Sequence, residues 1–224
     1  MTIQFFSRSE LDNAQLKLLR DGRAANARVS VVSINGKEWT IKDFSSRNFL
    51  VRVFVAPFLL KRELNILHRL HDVDGVANEC FSIDSNAIAI RFLQGKPLSH
   101  MKPDEISSDY LEKMEILLKT IHSHGVVHLD TRGTGNWLVS PKGDPLLIDF
   151  QASIQTQWMP KSWRRIIELV DMSGVYKKWL KWHPEIMTKE RLTDWEEAQK
   201  WRQRWKFRGY FGIRKKHRER HSIQ

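Results

Sequence analysis

The chain has 224 residues, 41 % of them apolar by type, and a formal net charge of +11. That apolar share suffices for a packed core and excludes a disordered polymer, while the single Cys80 excludes an internal disulfide and gives no sign of an oxidising compartment. The start of the sequence lacks an apolar run of signal-peptide length, and the apolar stretch from Phe49 to Leu60 is short and broken by Arg52, so a cytosolic protein, or one attached only to the cytosolic face of a membrane, is expected.

Along the chain, residues 10–20 read as a helix with Leu11, Leu16, Leu18 and Leu19 on its apolar side, followed by a small-residue turn at 21–26. Residues 29–34 and 38–44 are strand-like and joined by Asn35-Gly36, a strong hairpin signal. Pro57 fits the first turn of a helix whose Leu60, Leu64, Leu67 and Leu70 recur at helical spacing, and Gly75 ends that stretch. A second hairpin spans Ile83 to Phe92, turning at residues 84–86, and residues 93–97 form a linker. Ser107 to His122 is an amphipathic helix terminated at His124-Gly125, and two short strands at 137–139 and 146–148 flank the turn 141–145. The order predicts an α+β fold with a small antiparallel-sheet lobe over residues 1–93, a helical lobe over 94–199 and a basic aromatic tail over 200–224.

The segment from His128 to Asn136, followed by Ile148-Asp149-Phe150, concentrates the chemistry. Asp130 can align an acceptor hydroxyl by hydrogen bonding and take its proton. Asn136 brings an amide oxygen and Asp149 a carboxylate, hard ligands suited to magnesium. Singly, Asp, Asn and Gly are ordinary turn residues. His-x-Asp, then Asn, then a strand pair ending in Asp-Phe is a far more specific combination.

These motifs resemble those of the protein-kinase-like superfamily, especially its small bacterial members related to RIO-type kinases and lipopolysaccharide-core sugar kinases. The resemblance covers about residues 20–155 and implies a two-lobe fold with ATP and magnesium as cofactors. It implies that Lys42, in an apolar-flanked strand, holds the α and β phosphates, and that Glu63 on the following helix is its ion-pair partner. It further implies that His128 braces the loop and that Arg132 stands where many protein kinases carry a phosphate-contacting lysine. Departures are visible too. One extra residue separates Asp130 from Asn136, to be absorbed by Gly133 and Gly135; Gln151 replaces a glycine after Asp149-Phe150; Leu129 replaces an arginine; no glycine-rich phosphate loop exists, leaving the turn around Gly22 to cover the phosphates.

Charge is unevenly placed. Residues 1–155 hold 19 basic and 18 acidic side chains, residues 156–224 hold 18 and 8, and seven of the nine tryptophans lie in the second part. In residues 200–220 ten side chains are basic and Glu219 alone is acidic, a mixture of rings and cations that suits an anionic membrane surface or glycolipid first, a basic helical cap next and nucleic acid third. The expected activity is transfer of the γ-phosphoryl group of ATP to a hydroxyl acceptor, on a lipopolysaccharide-core sugar or, alternatively, on a protein serine or threonine. A pseudokinase that only binds is the runner-up from another class.

Overall fold

The computed structural model describes residues 4–22 and 26–204. Ser7 opens the short helix α1 (Arg8–Asp12): its hydroxyl accepts from the Glu10 amide while the Glu10 carboxylate accepts from the Ser7 amide. Only Leu11 of this helix is buried. The chain then runs as strand β1 (Lys17–Arg20), antiparallel to β2 (Arg28–Ile34), which turns at Asn35-Gly36 into β3 (Lys37–Asp43). Both turn residues have positive φ, 52° and 73°, as the tight hairpin requires.

The helix expected over residues 10–20 is therefore replaced by one helical turn and a strand. The leucines at 16, 18 and 19 fit either period, and the competition is settled by β2, whose free edge offers backbone partners at Val29 to Val31. All three leucines remain largely exposed.

A π-helical turn (Val51–Val55) leads into α2 (Ala56–Arg69), with Pro57 in its first turn where a missing N–H costs nothing. The helix stops at Arg69, short of Gly75, and Gly75 instead serves a later turn at φ 91°. β4 (Cys80–Asp84) and β5 (Ala87–Arg91) form the second hairpin, completing an antiparallel sheet in the order β1-β2-β3-β5-β4. One face of this sheet buries Trp39, Ile41 and Phe81 beneath Phe6 and Leu11, with ring centroids 4.9 Å apart for Phe6 and Phe81. Alternation along β3 turns Thr40 and Lys42 to the opposite face.

The remainder is mostly helical. β6 (Lys96–Pro97) precedes α3 (Ser108–Ser123), whose cap Ser107 accepts from the Tyr110 amide and whose end is turned by Gly125 at φ 69°. β7 (Val126–Val127), β8 (Trp137–Val139), β9 (Pro145–Leu147) and β10 (Ile154–Gln155) follow, pairing as β6-β8-β9 and β7-β10. α4 (Lys161–Trp182) packs on α3 through a core that includes Leu111, Met114, Leu118, Ile121, Val175 and Trp179. α5 (Lys189–Arg204) closes over α4, its Arg191 guanidinium 4.2 Å from the Trp179 ring centroid. Of the basic segment 200–220, residues 200–204 finish α5 and 205–220 lie outside the described residues. No described helix is long and apolar enough to cross a membrane.

Candidate active site

Lys42 is central. Its neighbours in register are Val29 on β2 and Ile88 on β5, so the lysine projects from the middle of the sheet rather than from an edge. Its Nζ donates to Glu63 Oε1 at 2.6 Å and to Asp149 Oδ1 at 2.7 Å, with Lys42 and Glu63 both buried. Burial pushes the Glu63 carboxyl up against the opposing pull of Lys42, whereas the more open Asp149 is held at about 2, chiefly by the Lys42 charge. Burial disfavours the charged amine, but the two carboxylates outweigh it and raise Lys42 above its ordinary value. The result is one cation clamped by two acids from three separate elements. Burying it is tolerable because every charge has a partner.

Asp149 reaches this position through an unusual backbone. Its φ is 67°, left-handed, and the next residue, Phe150, is buried with its ring centroid 4.8 Å from that of His128. Anchoring Phe150 inward leaves the Asp149 carboxylate facing the cleft. His128 is locked in turn: Nε2 lies 3.1 Å from the Ile148 carbonyl and Nδ1 lies 3.3 Å from the Asp130 amide. That geometry fits a neutral ring with the proton on Nε2, and burial lowers the imidazole below its ordinary value. His128 thus braces the loop, as its position in the motif implied.

Asp130 is exposed, and Asn136 Nδ2 donates to its carboxylate at 2.9 Å and its carbonyl at 3.2 Å. With both amide hydrogens so used, the Asn136 carbonyl oxygen is the atom left for a metal. Between Asp130 and Asn136 neither Gly133 nor Gly135 has positive φ; just before that interval Leu129 is left-handed, at 64°. The amides that bracket Leu129 are both taken: its own donates to Asp171 Oδ1 and that of Asp130 to His128 Nδ1.

Two cavities adjoin these groups. The larger, about 260 Å³, is walled by Leu19, Val29, Ile90, Leu138 and Leu147, with Lys42, Glu63, Asn136 and Asp149 at its polar end. An apolar slot ending in charged groups suits a flat base with phosphates attached. The smaller, about 180 Å³, has Asp130, Asp149, Arg20, Asn26 and Gln151 on its walls. Five of the six residues singled out from the sequence, Lys42, Glu63, Asp130, Asn136 and Asp149, are thereby brought to one cleft. Arg132 is not. Its guanidinium lies off both cavities, lowered by burial and by the charge of Arg202, and Nη1 has no hydrogen-bond partner among the described residues.

Sequence reading missed the platform beneath the loop, which is one face of α4. Buried Asp171 accepts from the His128 amide at 2.8 Å, the Leu129 amide at 2.9 Å and His122 Nε2 at 3.1 Å. Burial alone would raise this carboxyl, but its hydrogen bonds, that from His122 first, hold it below its ordinary value. Three residues on, a Cβ at Gly174 would collide with Thr131, so only glycine lets the loop sit this close. Four further on, Lys178 Nζ donates to the carbonyls of Thr131 at 2.6 Å and Gly174 at 3.1 Å. The available signal was an acid and a lysine at core-facing positions of an otherwise apolar helical pattern.

Lys178 makes no ion pair among the described residues, and burial, then the charges of Lys177 and Arg132, pull its amine down to about 7. A neutral amine has two N–H groups, matching its two carbonyl partners. Between about 7 and the ordinary 10.5 the unfolded chain therefore binds a proton that the folded chain does not, so this group makes stability rise with pH across that window. In protein labelled at lysine Cε, one resonance should titrate near pH 7 and vanish in Lys178→Met. Titration of every lysine above 10 would contradict this.

No protein-family model matches the chain, and no curated protein sequence matches it. Among solved structures it is similar to the Rio2 kinase from Chaetomium thermophilum, with a TM-score of 0.57 at 14 % identity over 88 % of this chain and 75 % of that one. The complex of the same Rio2 kinase with ADP/Mg2+-phosphoaspartate gives 0.56 at 14 % identity, over 88 % and 74 %. The fold is thus the two-lobe, protein-kinase-like one that the motif order implied, and the likeness extends past residue 155 into the platform helices.

Proposed function

We propose that this protein is an ATP- and magnesium-dependent phosphotransferase acting on a hydroxyl acceptor. One observation carries the reading: the Lys42 clamp of Glu63 and Asp149 lies in the same cleft as the Asp130–Asn136 pair, at the polar end of an apolar slot. The ADP/Mg2+ complex of the Rio2 neighbour supports nucleotide and metal as ligands of this fold. Lys42 would hold the α and β phosphates. Asn136 and Asp149 would hold magnesium, whose two protein oxygens here fit an ion that takes most of its ligands from phosphate and water. Bound there, the metal supplies charge neutralisation.

Asp130 accepts the hydrogen bond of the acceptor hydroxyl and takes its proton as the new O–P bond forms and the bond from the γ-phosphorus to the bridging oxygen breaks, releasing ADP. Positioning does most of the work in such a reaction. The acceptor in this reading is a lipopolysaccharide-core sugar, a choice supported by the basic, aromatic segment 200–220. A protein serine or threonine is the alternative acceptor. A binding-only pseudokinase is favoured by Gln151, which stands on the wall of the smaller cavity in place of a glycine.

Two measurements separate these. Magnesium with ATP should raise the unfolding temperature, since ligand at about 100 times its Kd adds about 2.7 kcal/mol. Labelled phosphate should then move from ATP to a core oligosaccharide lacking it. Binding without transfer to any sugar or peptide hydroxyl would favour the pseudokinase. Lys42→Met should lower kcat/KM at least about tenfold, because one donor to the phosphates is lost. An unchanged rate would mean that the phosphates are held elsewhere.

A further inference from the structure

The start of α2 and the segment after Phe150 expose an unusual set of side chains. Phe49 and Leu50 just before the π-helical turn, Val53 and Phe54 within it and Phe58 in the first turn of α2 are exposed, Phe54 at 70 %. Trp158, at 76 %, stands out from the segment leading into α4, and Trp163 from the first turn of that helix. The two groups meet, because Phe58 and Trp158 line one open cavity together with Lys61 and Arg62. Single exposed apolar residues are normal on a folded domain, but seven large ones in two short segments that meet at Phe58 and Trp158 are not.

The two segments that carry these rings hold cations and no acid of their own. Residues 44–62 contain Arg47, Arg52, Lys61 and Arg62 and no acid; residues 150–167 contain Lys161, Arg164 and Arg165 and no acid. Arg47 is paired with Asp21 and Arg164 with Glu168, while Arg62 donates to the Gln151 carbonyl. Arg52, Lys61, Lys161 and Arg165 make no ion pair among the described residues, leaving four cations beside the rings.

We propose that this face is a docking surface for an anionic lipid bilayer. Phenylalanine and tryptophan rings partition into the headgroup and upper acyl region, and each adjacent cation adds attraction to anionic lipid. A protein partner's groove would match the rings equally well, but it gives no reason for acids to be missing from both segments. None of these residues belongs to the C-terminal basic segment 200–220, and the inference does not rest on the phosphotransfer reading. Geometry would nonetheless link them: α2 also carries Glu63, and the 150–158 segment directly follows Asp149, so docking would set the cleft beside the membrane.

The test uses the full chain and an environment-sensitive dye on a single introduced cysteine, since Cys80 is buried. Dye on Phe54→Cys should brighten and shift to the blue with vesicles containing phosphatidylglycerol, and not with neutral phosphatidylcholine vesicles. Dye on Ile116→Cys, exposed on α3, should not respond. Phe54→Ser with Phe58→Ser should lower the partition coefficient at least about tenfold with an unchanged unfolding temperature. Co-sedimentation without a response at position 54 would overturn the proposal, since attachment would then run through another surface, as would no binding at all. A response at position 54 that needs no vesicles and scales with protein concentration would assign the face to a second copy and overturn it likewise.

Discussion

Asp149→Asn is expected to abolish phosphoryl transfer, by at least about a thousandfold in kcat, while leaving a folded protein. The substitution keeps volume and removes a charge at the point where three roles converge. Asp149 Oδ1 holds Lys42, the other carboxylate oxygen is the proposed magnesium ligand, and the left-handed backbone that presents it is fixed by buried Phe150. Removing one preorganised electrostatic partner from a site of this kind costs a factor of about 100 to 1,000, and loss of a metal ligand adds to that. The fold should survive because Glu63 still balances Lys42, whereas a lysine buried with no carboxylate would not be tolerated.

The acid dependence of stability supplies a second readout. The carboxyl sits at about 2 in the folded protein and ordinarily at 3.8, so its contribution is present above the ordinary value and disappears as pH falls through about 2. The asparagine variant should lack that portion. Asp130→Asn should be comparably inactive yet bind nucleotide with near-normal affinity, because Asp130 faces the acceptor side and takes no part in the Lys42 clamp. Full turnover in either variant would remove these loops from the chemistry.

Asp171→Asn should destabilise the protein by about 3 kcal/mol, read as a fall of roughly 6 to 12 °C in the unfolding temperature for a chain of this length. An amide cannot replace this carboxylate. One side of it would present N–H groups to the donors at His128 N, Leu129 N or His122 Nε2, turning an attraction into a clash of donors at a buried site. Turnover should fall about a hundredfold even where the variant remains folded, because the Leu129 turn that aims Asp130 is no longer pinned, and a displacement of about 1 Å is enough for such a loss. Nucleotide binding should be retained, since Lys42 and Asp149 are held from the sheet and from Phe150. A variant with normal stability and normal turnover would show that the loop holds its own shape.

Local pattern carried the sequence reading a long way. Asn35-Gly36 announced its hairpin because the turn geometry selects those residues, and α2 and α3 were legible from periodicity with a proline or serine at the start. Asp130, Asn136 and Asp149 were legible as a combination of motifs, and Lys42 and Glu63 through the resemblance that this combination carries. The leucines at 16, 18 and 19 were misread because their spacing satisfies both a helix and a strand, and only the presence of β2 decides between them.

What the sequence determined by itself is the set of elements whose stabilising contacts lie within a few residues, together with the chemical identity of the cleft. Tertiary structure alone decided how that cleft is held and what surrounds it. Asp171 acts across 42 residues on Leu129 and 43 on His128, and Lys178 across 47 on Thr131. No local period records such a bond, since it exists only once α4 has packed. The same reason hid the proposed docking face: Phe58 and Trp158 are unremarkable apolar residues in sequence, and their meeting at one open cavity follows from which sides of α2 and the 150–158 segment the core leaves uncovered.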